Sequence, residues 1–198
     1  MTTTNMRDEE SLENSFVPEG SWTFRAARLL LLLDTAFREG RKIGSIDRLA
    51  YYEFFADNPW VVIDGDHASD DRDRDTLALA GFSPTQLAYA STGPRFASRR
   101  ERIRADLSLL VALDLARFGT NSFEISDTGA RIADGLQSSY ADGYRASASV
   151  VLRHLVPLSN RALDEQAERW LGHSWLLLDL LDDVRGADVS TLTDIRRT

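Results

Sequence analysis

Five consecutive leucines, Leu29 to Leu33, constrain the fold more than any other feature of this chain. They lie inside a stretch with helical boundaries at both ends. An acidic lead-in closes on Pro18, Glu19 and Gly20, Ser21 is placed to cap a helix from Trp22 to about Glu39, and Gly40 is placed to stop it. At 3.6 residues per turn, five leucines in a row cover most of the helix circumference. This helix must therefore sit in the middle of the core. The run is far too short to cross a bilayer, so the rest of the 198 residues has to provide the surround. At that length the expectation is one domain with extensions.

Ser45 caps a second helix whose Ile46, Leu49 and Tyr52 share one face and which ends at Asn58, before Pro59. Its aromatic cluster, Tyr51, Tyr52, Phe54 and Phe55, is too wide for one stripe. Two contact faces follow, one for the core and one spare. Residues 60–97 are irregular: a short apolar run (WVVI), an acidic stretch (DGDHASDDRDRD) and a short helix with Pro84 at its first position. They read as an insertion. Ser98 and Glu101 then form an S-x-x-E capping box, which starts a third helix at Arg99 with Ile103, Leu107, Leu110 and Val111 as its apolar stripe. Arg95, Arg99, Arg100, Arg102 and Arg104 crowd the start of that helix, where cations oppose the helix dipole. They need either counter-charges or a partner.

Gly119 ends the third helix region, and RFGTNSFEIS, with Phe123 and Ile125 alternating around Glu124, reads as a short hairpin. A long fourth helix is expected from about Thr128 to Leu155, bent near Gly135 or Gly143. Ser159 caps a fifth, with Leu163, Ala167, Trp170, Leu171, Ser174, Leu178 and Leu181 on one face. Trp175 points away from that stripe, and Leu176, Leu177 and Leu180 widen it. Little chain follows Asp183 to cover so broad an apolar surface. Trp170 and Trp175 are therefore candidate contacts for a partner or a second copy.

The order of three helices, hairpin and helix predicts a mainly α fold with a winged-helix-like core. An insertion separates its second and third helices, and further long helices follow at the C-terminal end. The expected divisions are a lead-in over 1–20, the core domain over 21–156 with its insertion at 60–97, a helix over 157–184 and a tail over 185–198. That order usually reads duplex DNA through the third helix, which would make its arginines the reading residues. Three features oppose this. Nearly forty residues replace the short turn that sets the angle between reading helices. The hairpin turn GTNS holds no Lys or Arg for a phosphate contact. Asp64, Asp66, Asp70, Asp71, Asp73 and Asp75 create a negative field that would repel DNA on the same face, or would pair with some of the arginines.

The whole chain carries a formal charge of -8, which disfavours general attraction to nucleic acid. It has no cysteine, so thiolate chemistry and disulfides are excluded, in keeping with a cytoplasmic setting. His67, His154 and His173 lack metal-ligand spacing, and from Asp64 the acidic stretch fails the calcium-loop pattern, with Ser69 at the turn-glycine position and Asp75 at the twelfth. No phosphate-binding lysine loop or dinucleotide glycine pattern occurs. The expectation is no catalysis, no cofactor and no metal.

In this order, "RAARLLLLLDTAF", "SIDRLAYYEFFADNP", "PRFASRRERIRADLSLLVALDLARF", "FEISDTGARIADGL" and "SSYADGYRASASVVLRHL" resemble the middle components of bacterial three-component ABC-ATPase conflict systems. Lamassu-type antiphage systems are their best-known relatives. The resemblance runs from Ser21 to Leu155 and is least typical at the acidic insertion. It implies a non-catalytic, winged-helix-like adaptor. Its partners would be an SMC or Rad50-like coiled-coil ATPase and a separate effector, commonly a nuclease, with DNA sensing left mainly to the ATPase. The alternative is a winged-helix transcription regulator whose arginines touch DNA. A weaker third reading is an enzyme accessory with a calcium site at the acidic stretch.

Overall fold

The computed structural model describes residues 20–84 and 92–171, with the side chains of residues 92–95, 97 and 98 outside that set. The described residues form α1 (Trp22–Arg38), α2 (Ile46–Asp57), α3 (Ala68–Leu79), α4 (Thr92–Ala112), β1 (Ala116–Phe118), β2 (Phe123–Ile125), α5 (Asp127–Gly135), α6 (Ser139–Leu155) and α7 (Asn160–Leu171). The fold is mainly helical, with one two-stranded antiparallel sheet. Among the described residues, no helix is long and apolar enough to cross a membrane.

The leucine run does what its composition requires. Every residue from Leu29 to Ala36 is buried, and α1 touches α2, α4, α5, α6 and β2. Each fully buried leucine side chain contributes about 1.5–3 kcal/mol, so α1 anchors the core. Gly40 closes the helix with φ of +64°, a conformation that glycine adopts without steric cost. The chain then turns so that Ile43 accepts a hydrogen bond from the Phe123 N–H (2.9 Å) and forms a single bridge to β2. Ser45 follows as the cap of α2, its hydroxyl accepting from the Arg48 N–H.

Four expectations need correction. First, the third helix starts at Thr92 rather than Arg99, so residues 92–97 leave the insertion. Phe96 is the reason: its buried ring stacks on Tyr51 (5.0 Å) and meets Phe54 edge-on (5.3 Å). That packing holds the earlier turns helical across the local Ser98 signal, and Pro94 falls in the first turn, where its missing N–H costs nothing. Second, α2 has no spare aromatic face. Phe96 of α4 covers one side and α7 the other, through Trp170 against Phe55 (5.1 Å) and a Tyr51 hydroxyl donating to Asp164 (3.0 Å).

Third, the acidic stretch, read as irregular, carries helix α3, with Asp70 and Asp73 buried and Asp64, Asp66, Asp71 and Asp75 exposed. Asp70 accepts the His67 backbone N–H (3.1 Å), and buried Asp73 is held by Arg153 and by Nε2 of His154 (2.8 Å), pinning α3 to α6. Gly143 permits this approach, since a Cβ there would meet the Ala80 carbonyl oxygen at 3.0 Å. Fourth, the long fourth helix is two. It stops at Gly135, and the Ser138 hydroxyl accepts from the Ala141 N–H (3.1 Å) to begin α6. The short helix expected at Pro84 lies outside the described residues.

Candidate partner-binding face

The arginines of α4 have two different fates. Arg99 sits about two turns into the helix rather than at its start, on the side facing α2 and α1. On α2, Glu53 and Asp57 are four residues apart and so share one face. On α1, Arg28 lies opposite them, only 2 % exposed. Its guanidinium meets Glu53 Oε1 at 2.5 Å and Asp57 Oδ2 at 2.7 Å, while Arg99 meets Asp57 Oδ2 at 2.5 Å and Glu53 Oε2 at 3.7 Å. Two cations and two carboxylates make a neutral quartet joining three helices.

Aromatic rings close around it. Arg28 lies over Tyr144 and Phe24, and Arg99 over Phe54. Burial works to lower the Arg28 pKa, but the charges of Glu53 and Asp57 overcome it and hold the group above its ordinary value. Arg28 is a permanent cation. Alongside, Arg25 of α1 makes a forked contact with buried Asp106 of α4, Nε to Oδ2 at 2.6 Å and Nη2 to Oδ1 at 2.9 Å. The forked hydrogen bond to Asp106 is also the main reason the Arg25 pKa is raised. Arg100 completes the set on Asp47 at 2.9 Å, near the start of α2.

These carboxylates come from α2 and α4, not from the acidic stretch, whose Asp71 and Asp73 pair with Arg74, Arg153 and His154. Among the described arginines of α4, the expected pairing with the insertion is therefore overturned. Helix geometry explains it: α2 packs directly on α4 and α1, whereas α3 docks on α6. The space enclosed by Arg25, Arg28, Glu53, Arg99, Arg102 and Asp106 is about 20 Å³. That is the room of one water and an order of magnitude below a substrate or cofactor site. The network ties α1, α2 and α4 together through paired charges.

Arg102 and Arg104 differ. Both are exposed and without an ion-pair partner among the described residues. Beyond them the exposed side chains of the same helix are mostly apolar, with Ser108 the polar exception. Ala105 and Ala112 are exposed, Leu109 is 40 % exposed, Val111 44 % and Leu113, just past the helix, 49 %. Ile103, Leu107 and Leu110 form the buried stripe as expected, while Val111, assigned to that stripe from its spacing, faces outward. Sequence spacing alone did not single out Leu109 or Leu113: Leu109 lies off the Ile103, Leu107 and Leu110 stripe, and Leu113 escapes the core because the helix ends at Ala112.

Of the remaining candidates, Trp170 is half-buried on Phe55 and serves the contact between α7 and α2. Trp175, and the side chain of Arg95, lie outside the described residues. Among the described residues, no three or more His, Asp or Glu side chains converge as a metal site. Comparison with known proteins adds no relative: no family model matches the chain, and no curated protein or solved structure matches it.

Proposed function

We propose that this chain is a non-catalytic adaptor subunit that binds other proteins through the outward face of α4. The resemblance of its segments to the middle components of three-component ABC-ATPase systems supplies the partners: an SMC or Rad50-like coiled-coil ATPase and an effector, commonly a nuclease. A winged-helix-like core fits this reading. The order of α1, α2 and α4 followed by the hairpin, and the Ile43 bridge that extends the hairpin by a third segment, both support that architecture.

One observation carries the functional choice. A helix that reads DNA keeps its cations free for phosphates and base edges. Here Arg99 and Arg100 are bound to Asp57, Glu53 and Asp47, leaving Arg102 and Arg104, among the described side chains, at the head of an outward surface of Ala105, Ser108, Leu109, Val111 and Ala112. An apolar face with a few cations at one end is the chemistry of a protein contact. Among the described side chains of this helix, the alternative, a DNA-binding regulator, retains two free cations.

The test is purification of the tagged protein from its native host after nuclease treatment, with mass spectrometry of what co-purifies, beside a Leu109→Glu variant. A coiled-coil ATPase and an effector should appear in fixed ratio with the wild type and vanish with the variant. Wild-type protein recovered alone, or the same partners on the variant, would contradict the assignment.

A further inference from the structure

A second surface, apart from α4, has a chemistry of its own. Where α1 ends, Gly40 turns the chain back so that the Arg41 N–H donates to the Ala36 carbonyl (2.8 Å), and Arg41 and Lys42 come to stand beside β2. Between them is a slot of about 230 Å³, floored by buried Leu33 and Ala36 and walled by Phe37 and Phe123. Phe37 is 59 % exposed, and Phe118, 64 % exposed, extends the apolar wall by packing against Phe123 (5.2 Å). Neither Arg41 nor Lys42 has an ion-pair partner among the described residues. On a chain of net charge -8, two free cations flanking an aromatic slot are an exception to the general field.

We infer that this slot docks a short acidic segment of a partner protein, with one large apolar side chain in the slot and neighbouring carboxylates on Arg41 and Lys42. The size decides the ligand class. The slot is smaller than the roughly 300–1,000 Å³ of small-molecule and cofactor sites, and matches one Leu, Phe or Trp side chain. The charge decides the flanking residues, since an acidic segment complements the rim and a basic one is repelled. Single-stranded nucleic acid fits less well. Phe118 and Phe123 meet at 62° rather than forming a parallel stacking platform. Glu124, which also lines the slot, is paired with Arg117 (3.4 Å) and so leaves the rim's charge to Arg41 and Lys42. The inference stands whether or not α4 binds an ATPase.

The experiment is selection of phage-displayed random dodecapeptides on the immobilised full-length chain, with enriched sequences remade as fluorescent peptides for anisotropy. Enriched peptides should share one large apolar residue with two or more Asp or Glu within three positions. Their binding should weaken about tenfold with Phe37→Ala and with the pair Arg41→Glu and Lys42→Glu, and should fall with added salt. All three side chains are at the surface, and unchanged thermal melts of the variants confirm that the fold is intact. Selected peptides without an acidic signature, or binding indifferent to these variants, overturn the inference. A labelled oligothymidylate competing for the site would assign it to nucleic acid, and a dimer dissolved by Phe37→Asp would assign it to a second copy; either result also overturns it.

Discussion

Replacing Arg28 with methionine tests whether the charge quartet holds the three central helices together. Methionine keeps most of the side-chain volume and removes the charge, so the loss is electrostatic rather than a cavity. In its absence Asp57 keeps Arg99 at 2.5 Å, but Glu53 is left with Arg99 at 3.7 Å as its nearest cation. Glu53 is buried. Removing one partner of a buried pair costs about 3–5 kcal/mol, because the other charge stays desolvated without compensation. For a domain of this size that is a fall in Tm of roughly 6–20 °C. The double variant Arg28→Met/Glu53→Leu leaves the neutral pair Arg99 and Asp57, and should recover at least about 2 kcal/mol of the loss. Urea unfolding followed by circular dichroism at constant m-value measures both. A single-variant cost under about 1 kcal/mol, or a double variant equal to the sum of its parts, would refute the quartet as a coupled unit.

Other outcomes follow from the same contacts. Tyr144→Phe should be neutral or stabilising by up to about 1 kcal/mol at pH 7 in urea titrations, because its buried hydroxyl has no hydrogen-bond partner among the described residues. Burial raises the pKa of Tyr51, Tyr52 and Tyr144. The folded chain therefore keeps phenolic protons that the unfolded chain releases; stability is intact below pH of about 10 and falls as pH rises from there, which urea midpoints between pH 8 and 11 will show. Gly129→Ala would place a Cβ 2.0 Å from the Leu115 carbonyl oxygen, and the forced shift of α5 away from Leu115 and Ile125 should cost about 1–3 kcal/mol in the same assay. Duplex DNA contacts made by Arg102 and Arg104, the free arginines among the described side chains of α4, should contribute a log-salt slope of only about -1.8 by anisotropy, so replacing both with Ala should reduce the slope by about that much, against the much steeper slope of a reader with many phosphate contacts.

The parts of the fold legible in the sequence are those fixed within a few residues. The ends of α1 and α2 follow from Gly40 and Ser45, and the hairpin from its alternating apolar pair. What escaped was decided at long range. The true start of α4 depends on Phe96 finding Tyr51 and Phe54, which no local pattern around Ser98 reports. Helix α3 escaped because it docks through Asp73 on Arg153 and His154 with Leu77 as its main apolar anchor, so hydrophobic periodicity carries almost no signal. The arginines were visible as residues in search of carboxylates. Which carboxylates they would find depended on α2 packing between α1 and α4, with Glu53 and Asp57 turned inward. That distinction separates Arg99, bound within the fold, from Arg102 and Arg104, which remain available outside it.

The most direct measurement is amide hydrogen exchange across residues 101–113, made on the chain alone and on the complex recovered from its host. Docking on the outward face of α4 predicts at least about tenfold slower exchange there in the complex, with duplex DNA giving no such protection. Exchange unchanged in the complex, or protection produced by DNA alone, would contradict the assignment of this helix to a protein partner.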